Sequence, residues 1–256
     1  MEATFFLTGA SGYIGRHFIS HLLKDIRPDE GFMQCDLKNG QDFSLLKGAK
    51  FKTVIHLAAH ASVTQSLKDP DECLENNAFK LIPFLMNNQI EKFVFTSTGG
   101  AIYGNTRRAR EEEASWNGCI SPYGQSKYLA EKIIRQLQPN HTILRLGNVY
   151  GGNDSDRLEL AAHARFRTDD PIVVYGGEQI RDFVHVDTVC SALLKAARSN
   201  IVGTFNLGSG EETLVRDVAE NFSRSRGIPI TYRPARTGEI TEISLNVDKA
   251  KGVGLL

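Results

Sequence analysis

The stretch Thr4-Phe5-Phe6-Leu7-Thr8-Gly9-Ala10-Ser11-Gly12-Tyr13-Ile14-Gly15 limits the possible folds of this chain more than any other segment. Thr4 to Thr8 has the length and apolar character of a short strand. Ile14, Phe18 and Leu22 then recur every four residues, the spacing of an amphipathic helix. A strand, a glycine-rich turn and a helix in that order form a phosphate cradle. The glycines let backbone approach a pyrophosphate, and the helix start offers free N–H groups and a positive dipole end. The spacing is G-x-x-G-x-x-G. Its position directly after the first strand favours dinucleotide binding over an ordinary turn.

The rest of the first 150 residues repeats the same alternation. Phe32 to Leu37 reads as a strand whose Asp36 stands 21 residues after Gly15, where an acid can reach an adenosine ribose. Lys52 to Ala59 is a buried-strand pattern ending in Leu57, Ala58 and Ala59, residues small enough at the end to admit a flat cofactor. Asp69-Pro70-x-Glu72 opens a helix that runs towards Asn88, with a kink or break expected at Pro83. Phe93 to Phe95 and Thr142 to Leu146 are further strands. Alternating strands and helices predict an α/β protein with a Rossmann-like, doubly wound parallel sheet. Beyond Asn148 the pattern loosens into a turn-rich loop, a helix to about Arg167, a strand Ile172 to Tyr175, and helices that Asp187 and Thr213 can cap. The expected division is a dinucleotide-binding domain over 1–150, to which segments around 177–210 return, and a smaller mixed α/β substrate lobe over 151–256.

Chemistry concentrates at Ser121-Pro122-Tyr123-Gly124-Gln125-Ser126-Lys127. Ser121 suits an N-cap and Pro122 a first helical position. Tyr123 and Lys127, four apart, then share one helix face. A fixed positive charge beside a phenol favours the phenolate and makes a proton acceptor. The plain alternative is an exposed helix start with an ordinary Tyr and Lys, and the pair alone does not decide between them.

Composition narrows the partners. The formal net charge is zero, with no basic block and no acidic tail, so nothing points to nucleic acid or to a charged membrane surface. A small-molecule ligand is the default. Cys35, Cys73, Cys119 and Cys190 lack the close pairing of a structural zinc site and read as thiols of a reducing compartment; no metal is expected. With no long apolar run, a cytoplasmic protein without membrane contact is expected.

Taken together, Thr8-Gly9-x-x-Gly12-x-x-Gly15, His56-Leu57-Ala58-Ala59, Thr96 to Gly104 and Tyr123-x-x-x-Lys127 resemble the extended short-chain dehydrogenase/reductases, and within them the NAD-dependent nucleotide-sugar epimerase/dehydratase family. Leu144 to Gly151, Gly177 to Asp187 and Phe205 to Gly210 extend the resemblance over nearly the whole chain. It implies that Tyr123 is the acid/base on a sugar hydroxyl, that Lys127 holds the nicotinamide ribose and lowers the Tyr123 pKa, and that Thr98 hydrogen-bonds the reacting oxygen. It further implies an NAD site of Gly9, Ser11, Gly12, Tyr13, Ile14, Gly15, Asp36, Leu37, Leu57, Ala58, Ala59, Asn77, Tyr123 and Lys127. Thr98, Asn148, Arg181, Arg236 and Glu239 would hold the nucleotide sugar, most simply a UDP-sugar.

The resemblance also discriminates among reactions. Dehydratases of the family carry Asp-Glu after the catalytic threonine and the related decarboxylases a glutamate in the same stretch, whereas Gly99-Gly100 stand here. The implied reaction is 4-epimerisation through a transient 4-keto sugar. A 4-keto-sugar reductase or dehydrogenase, or a non-catalytic cofactor-binding protein of the same fold, are the alternatives. Compared with the family pattern, one strand unit between Gly15 and His56 is absent, Lys80-Leu81 replace Gly-Thr, and the final helices are lacking. Family members dimerise through the Asn77 and Tyr123 helices, and Leu74, Leu81, Leu85, Leu129 and Ile133 are the apolar residues expected at such a homodimer contact.

Overall fold

The computed structural model describes residues 3–35, 46–152, 172–235 and 239–256. Its centre is a six-stranded parallel sheet. In chain order the strands are β1 (Phe5–Thr8), β2 (Phe32–Cys35), β3 (Lys50–His56), β4 (Gln89–Thr98), β6 (His141–Leu146) and β11 (Gly203–Leu207), and in space they run β11-β6-β4-β3-β1-β2. Two strands lie outside β1 in the common dinucleotide-binding order. Here β2 alone does so among the described residues, as the short spacing between Gly15 and His56 led us to expect.

The strands are apolar for a physical reason. Helices cover both sheet faces, so β6 is buried along its whole length and β4 over its last seven residues. On one face α1 (Tyr13–Lys24) and α6 (Val186–Ala197) enclose Phe5, Leu7, Phe18, Leu22, Val94, Leu144 and Leu193. On the other, Phe6, Val54, Phe84, Phe93, Phe95 and Ile134 pack beneath α2 (Val63–Lys68), α3 (Pro70–Leu74), α4 (Leu81–Asn87) and α5 (Pro122–Leu137). Leu81 and Leu85 belong to this core, so they face inward and are not available to a partner.

The helix expected from Asp69 to Asn88 is interrupted. Asp69 does cap it, accepting the Glu72 N–H at 2.9 Å. Between α3 and α4, however, Glu75–Phe79 forms a π-helical turn in which the Lys80 N–H reaches the Glu75 carbonyl at 3.0 Å. Pro83 has no N–H and its ring opposes the carbonyl four residues back, so the wider turn sits where the strain of Pro83 falls.

The remaining strands form two-stranded units on the carboxyl side of the sheet: β7 (Asn148–Tyr150) with β10 (Phe183–His185), β8 (Ile172–Tyr175) with β13 (Ile230–Arg233), β9 (Ile180–Arg181) with β12 (Thr213–Leu214), and β5 (Thr106–Ala109) with β14 (Ile243–Leu245). Two capping expectations are corrected. His185 caps α6, accepting the Asp187 N–H at 3.2 Å, and Asp187 lies in the first turn. Thr213 pairs with Arg181 in a strand, so α7 (Val215–Arg226) begins after Leu214 without a side-chain cap. The helix expected up to about Arg167 lies outside the described residues. Arg107 to Glu113 reads as a solvated charge run, and Arg107, Arg108, Arg110, Glu112 and Glu113 are exposed; the same stretch also contributes part of β5 and a part-buried acceptor, the Glu111 carbonyl.

Candidate active site

The first turn of α5 is held from three sides. Ser121 caps it by accepting the Gly124 N–H at 3.2 Å, and Pro122 follows as the sequence suggested. The Tyr123 N–H, one of the donors without a partner inside its own helix, goes to Ser66 Oγ of α2 at 3.1 Å. Ser126 donates to the Tyr123 carbonyl at 2.8 Å and accepts from Asn77 Nδ2 at 2.9 Å. Asn77, set on the π-helical turn, also grips both backbone groups of His60, accepting from its N–H at 2.8 Å and donating to its carbonyl at 3.1 Å. Asn77 is thus behind the site, tying α5 to the loop after β3, and its amide groups are engaged by protein.

Tyr123, Lys127, Thr98, Leu57, Ala59 and Ile14 come together on one cleft of about 170 Å³ at the carboxyl end of the sheet, lined also by Thr96, Ser97, Leu146, Gly147 and Val149. This is where open α/β sheets bind ligands. A Thr98 hydrogen bond reaches the Tyr123 phenol and lowers its pKa, but burial outweighs it and pushes Tyr123 up to about 12. Burial likewise brings Lys127 down to about 7, against the opposing pull of Glu131. Without cofactor, desolvation of the phenol dominates the Tyr123 pKa, and Lys127, itself lowered by burial, does not offset it. The Lys127 ammonium lies 4.4 Å from the Phe95 ring centre. His56, buried between Phe93 and Phe95, is brought down to about 3 by burial and by Lys127, so its ring is neutral.

The glycine turn packs against the start of the loop after β3. A Cβ on Gly9 would lie 2.5 Å from the Ala58 nitrogen, and one on Gly15 2.2 Å from the Gly9 carbonyl oxygen. Gly9 also has φ +74°, a conformation glycine adopts without strain. No side chain caps α1, whose N-cap is Gly12, so its first N–H groups face outward for an anion. Ser11 is exposed at the mouth of the turn, and the Tyr13 hydroxyl donates to the Gly151 carbonyl at 2.5 Å. These residues fit a dinucleotide: a cradle without side chains for the pyrophosphate, leading to an apolar wall of Ile14, Leu57 and Ala59. Asp36 and Leu37 lie outside the described residues.

On the substrate side, Asn148 opens β7, and its Oδ1 would be 3.6 Å from a Cβ on Gly100. Gly99 has a packing reason to be glycine, because a Cβ there would meet Leu245 Cδ1 at 2.7 Å. Arg181 is buried and donates to the Ile180 carbonyl at 2.8 Å and to the Ile240 carbonyl at 2.6 Å, with Glu239 3.9 Å away. Burial lowers its pKa to about 10, and Glu239 opposes this. Arg181 and Glu239 stand together but do not line the cleft of Tyr123, and Arg236 lies outside the described residues.

Several site-building residues escaped the sequence reading. Ser66 and Ser126 carry no local signal, and the six-residue α2 that holds Ser66 is too short to announce itself by periodicity. Asp182 is buried and gathers the N–H groups of Ser209 (2.7 Å), Gly210 (3.0 Å) and Leu245 (3.2 Å). Its signal was faint: a charged residue within an apolar, glycine-flanked stretch.

The model of the NAD-dependent epimerase/dehydratase family matches residues 5–208. A UDP-glucose 4-epimerase of Halalkalibacterium halodurans is 27% identical, over 96% of this chain and 88% of that protein. Among solved structures, the UDP-glucose 4-epimerase of Thermus thermophilus in complex with NAD superposes with a TM-score of 0.81 at 27% identity, covering 98% of this chain and 93% of that one. The UDP-glucose 4-epimerase of Thermotoga maritima with UDP-glucose gives 0.77 at 27% identity, covering 97% and 91%.

Proposed function

We propose that this chain, which belongs to the NAD-dependent epimerase/dehydratase family, is an NAD-dependent 4-epimerase of a UDP-sugar. The observation that carries the reading is the single cleft in which Tyr123, Lys127 and Thr98 meet the wall of the glycine cradle. Several relatives matched over nearly the whole chain are named UDP-glucose 4-epimerases, one solved with NAD and another with UDP-glucose.

Bound NAD supplies reversible two-electron oxidation at the sugar carbon. Thr98 holds the reacting oxygen against Tyr123, and Tyr123 takes its proton and later returns it. The phenol is raised to about 12 in the protein alone, so accepting that proton needs added positive charge; Lys127 and the oxidised cofactor are its sources. Gly99-Gly100 leave no second acid/base pair beside Thr98, which supports epimerisation over loss of water. Asn148, Arg181, Glu239 and Arg236 hold the nucleotide end, Asp36 and Leu37 the adenosine, and residues 151–256 form most of the substrate lobe. Asn77 acts on the cofactor through His60 and α5. The protein works in the cytoplasm as a homodimer.

The test is interconversion of UDP-glucose and UDP-galactose, followed by chromatography, with NAD carried through purification identified by mass spectrometry. Tyr123→Phe keeps the packing and is expected to lower turnover by several orders of magnitude. A variant that keeps more than a tenth of the wild-type rate overturns the role of Tyr123. Net formation of a 4-keto product would favour a dehydrogenase.

A further inference from the structure

Lys127 lines the cleft with its residue only 2% exposed and its ammonium over the Phe95 ring. The natural counter-ion stands one turn away. Glu131 follows at i+4 on the same helix face and is fully buried.

That carboxylate is already engaged. Its Oε1 accepts from Arg145 Nε at 2.8 Å, and its Oε2 accepts from Arg145 Nη2 at 2.6 Å and from Arg135 Nη2 at 2.7 Å. Arg145, on β6 and 1% exposed, is fixed from behind: its Nη1 donates to the Tyr103 hydroxyl at 2.8 Å and to the Glu111 carbonyl at 2.7 Å. One carboxylate therefore serves two guanidiniums, with the Glu111 carboxylate, which accepts the Asn206 N–H at 2.8 Å, also beside Tyr103 and Arg145. Around Lys127, His56 from β3 is neutral, Thr98 and Ser97 from β4 are hydroxyls and Tyr123 on α5 keeps its proton, while Glu131 and Cys73 from α3 pull the Lys127 pKa upward against burial.

We propose that Glu131, Arg145 and Arg135 are positioning residues that set the protonation of Lys127, the two arginines withholding the carboxylate that would otherwise keep the ammonium charged. Lys127 is then poised to change charge near neutral pH, which is also the direction in which burial moves it. The catalytic consequence rests on the function proposed above; the protonation of Lys127 does not.

Two conservative variants separate this from a structural role. Glu131→Gln removes the negative charge and keeps the shape. Arg135→Gln, at a side chain 32% exposed, removes a positive charge and leaves Arg145 in place. Competitive labelling of the cofactor-free protein with trace acetic anhydride across pH, read by mass spectrometry of the Lys127 peptide, gives its midpoint. We expect the midpoint to fall by about one pH unit in Glu131→Gln and to rise by a smaller amount in Arg135→Gln. A loosened network would move both variants in the same direction. Shifts of the same sign overturn the proposal, as do midpoints at the ordinary lysine value in all three proteins or no labelling at any pH where the fold persists. The low-pH limb of kcat in the holoenzyme should follow the same opposite signs. Opposite labelling shifts in a protein that epimerises nothing would leave this inference standing and sink the functional one.

Discussion

His56 is neutral in the folded protein throughout the physiological range, and that has a consequence in acid. Burial holds its ring near 3, below the 6.5 of an ordinary histidine, so between these values the unfolded chain takes up a proton that the folded chain refuses. The stability it contributes is complete above about pH 6.5 and is lost as pH falls towards 3. From pH 6.5 to 4.5 this amounts to about 2 kcal/mol. Urea unfolding at the two pH values should show that loss in the wild type and a flatter dependence in His56→Gln, whatever the absolute stability of the variant. Equal slopes would mean that the ring is not buried neutral. Lys127 acts in the same sense at higher pH: its folded value near 7 lies below 10.5, so its contribution also rises with pH, from about 7 to 10.5.

At the scale of elements, the glycine turn is rigid because another segment fills the space where side chains would go. Gly9→Ala must displace the Leu57–Ala58 backbone and adopt a positive φ, and should cost more than about 2 kcal/mol and abolish NAD binding. Gly48 is the control. It also has positive φ, +82°, but no atom lies within 4 Å, so Gly48→Ala should cost only the left-handed penalty of about 1 kcal/mol and leave NAD binding intact. Melting temperature and calorimetric titration with NAD distinguish the two, and equal losses would refute the packing argument. The same contrast explains what the sequence discloses. Helix α5 was legible because Ser121 and Pro122 act on their immediate neighbours, and β1 with its turn because the glycines sit at fixed offsets. The Ser66 bond to Tyr123, the Asp182 contacts with Ser209, Gly210 and Leu245, and the Arg145 grip on Glu131 join residues far apart or on different elements. No periodicity encodes such meetings. They exist only once the sheet order is known. The π-helical turn was half legible: Pro83 announced an interruption, but the backbone absorbs it upstream of the proline.

At the scale of the whole molecule, the apolar face expected at a homodimer contact is kept only in part. Leu81 and Leu85 are inside and Leu74, Leu129 and Ile133 are half-buried, whereas Leu67, Phe79 and Met86 are 64%, 44% and 68% exposed along the α2 to α4 side. A homodimer formed there would bury them, and Phe79→Asp with Met86→Glu should give a folded monomer. Light scattering at micromolar concentration checks both states; a wild type that is monomeric throughout counts against the dimer. The sheet order has a last consequence, for synthesis of the chain. Helix α6 and strand β11, which seal Phe18, Val94 and Leu144 and pair the free edge of β6, come from residues 186–207. While the ribosome has delivered only the first 150 residues, the part of that face beneath α6 and the β6 edge remain open to water. The nascent chain therefore has a window of tens of residues in which a chaperone, or a neighbouring nascent chain, can reach that apolar surface.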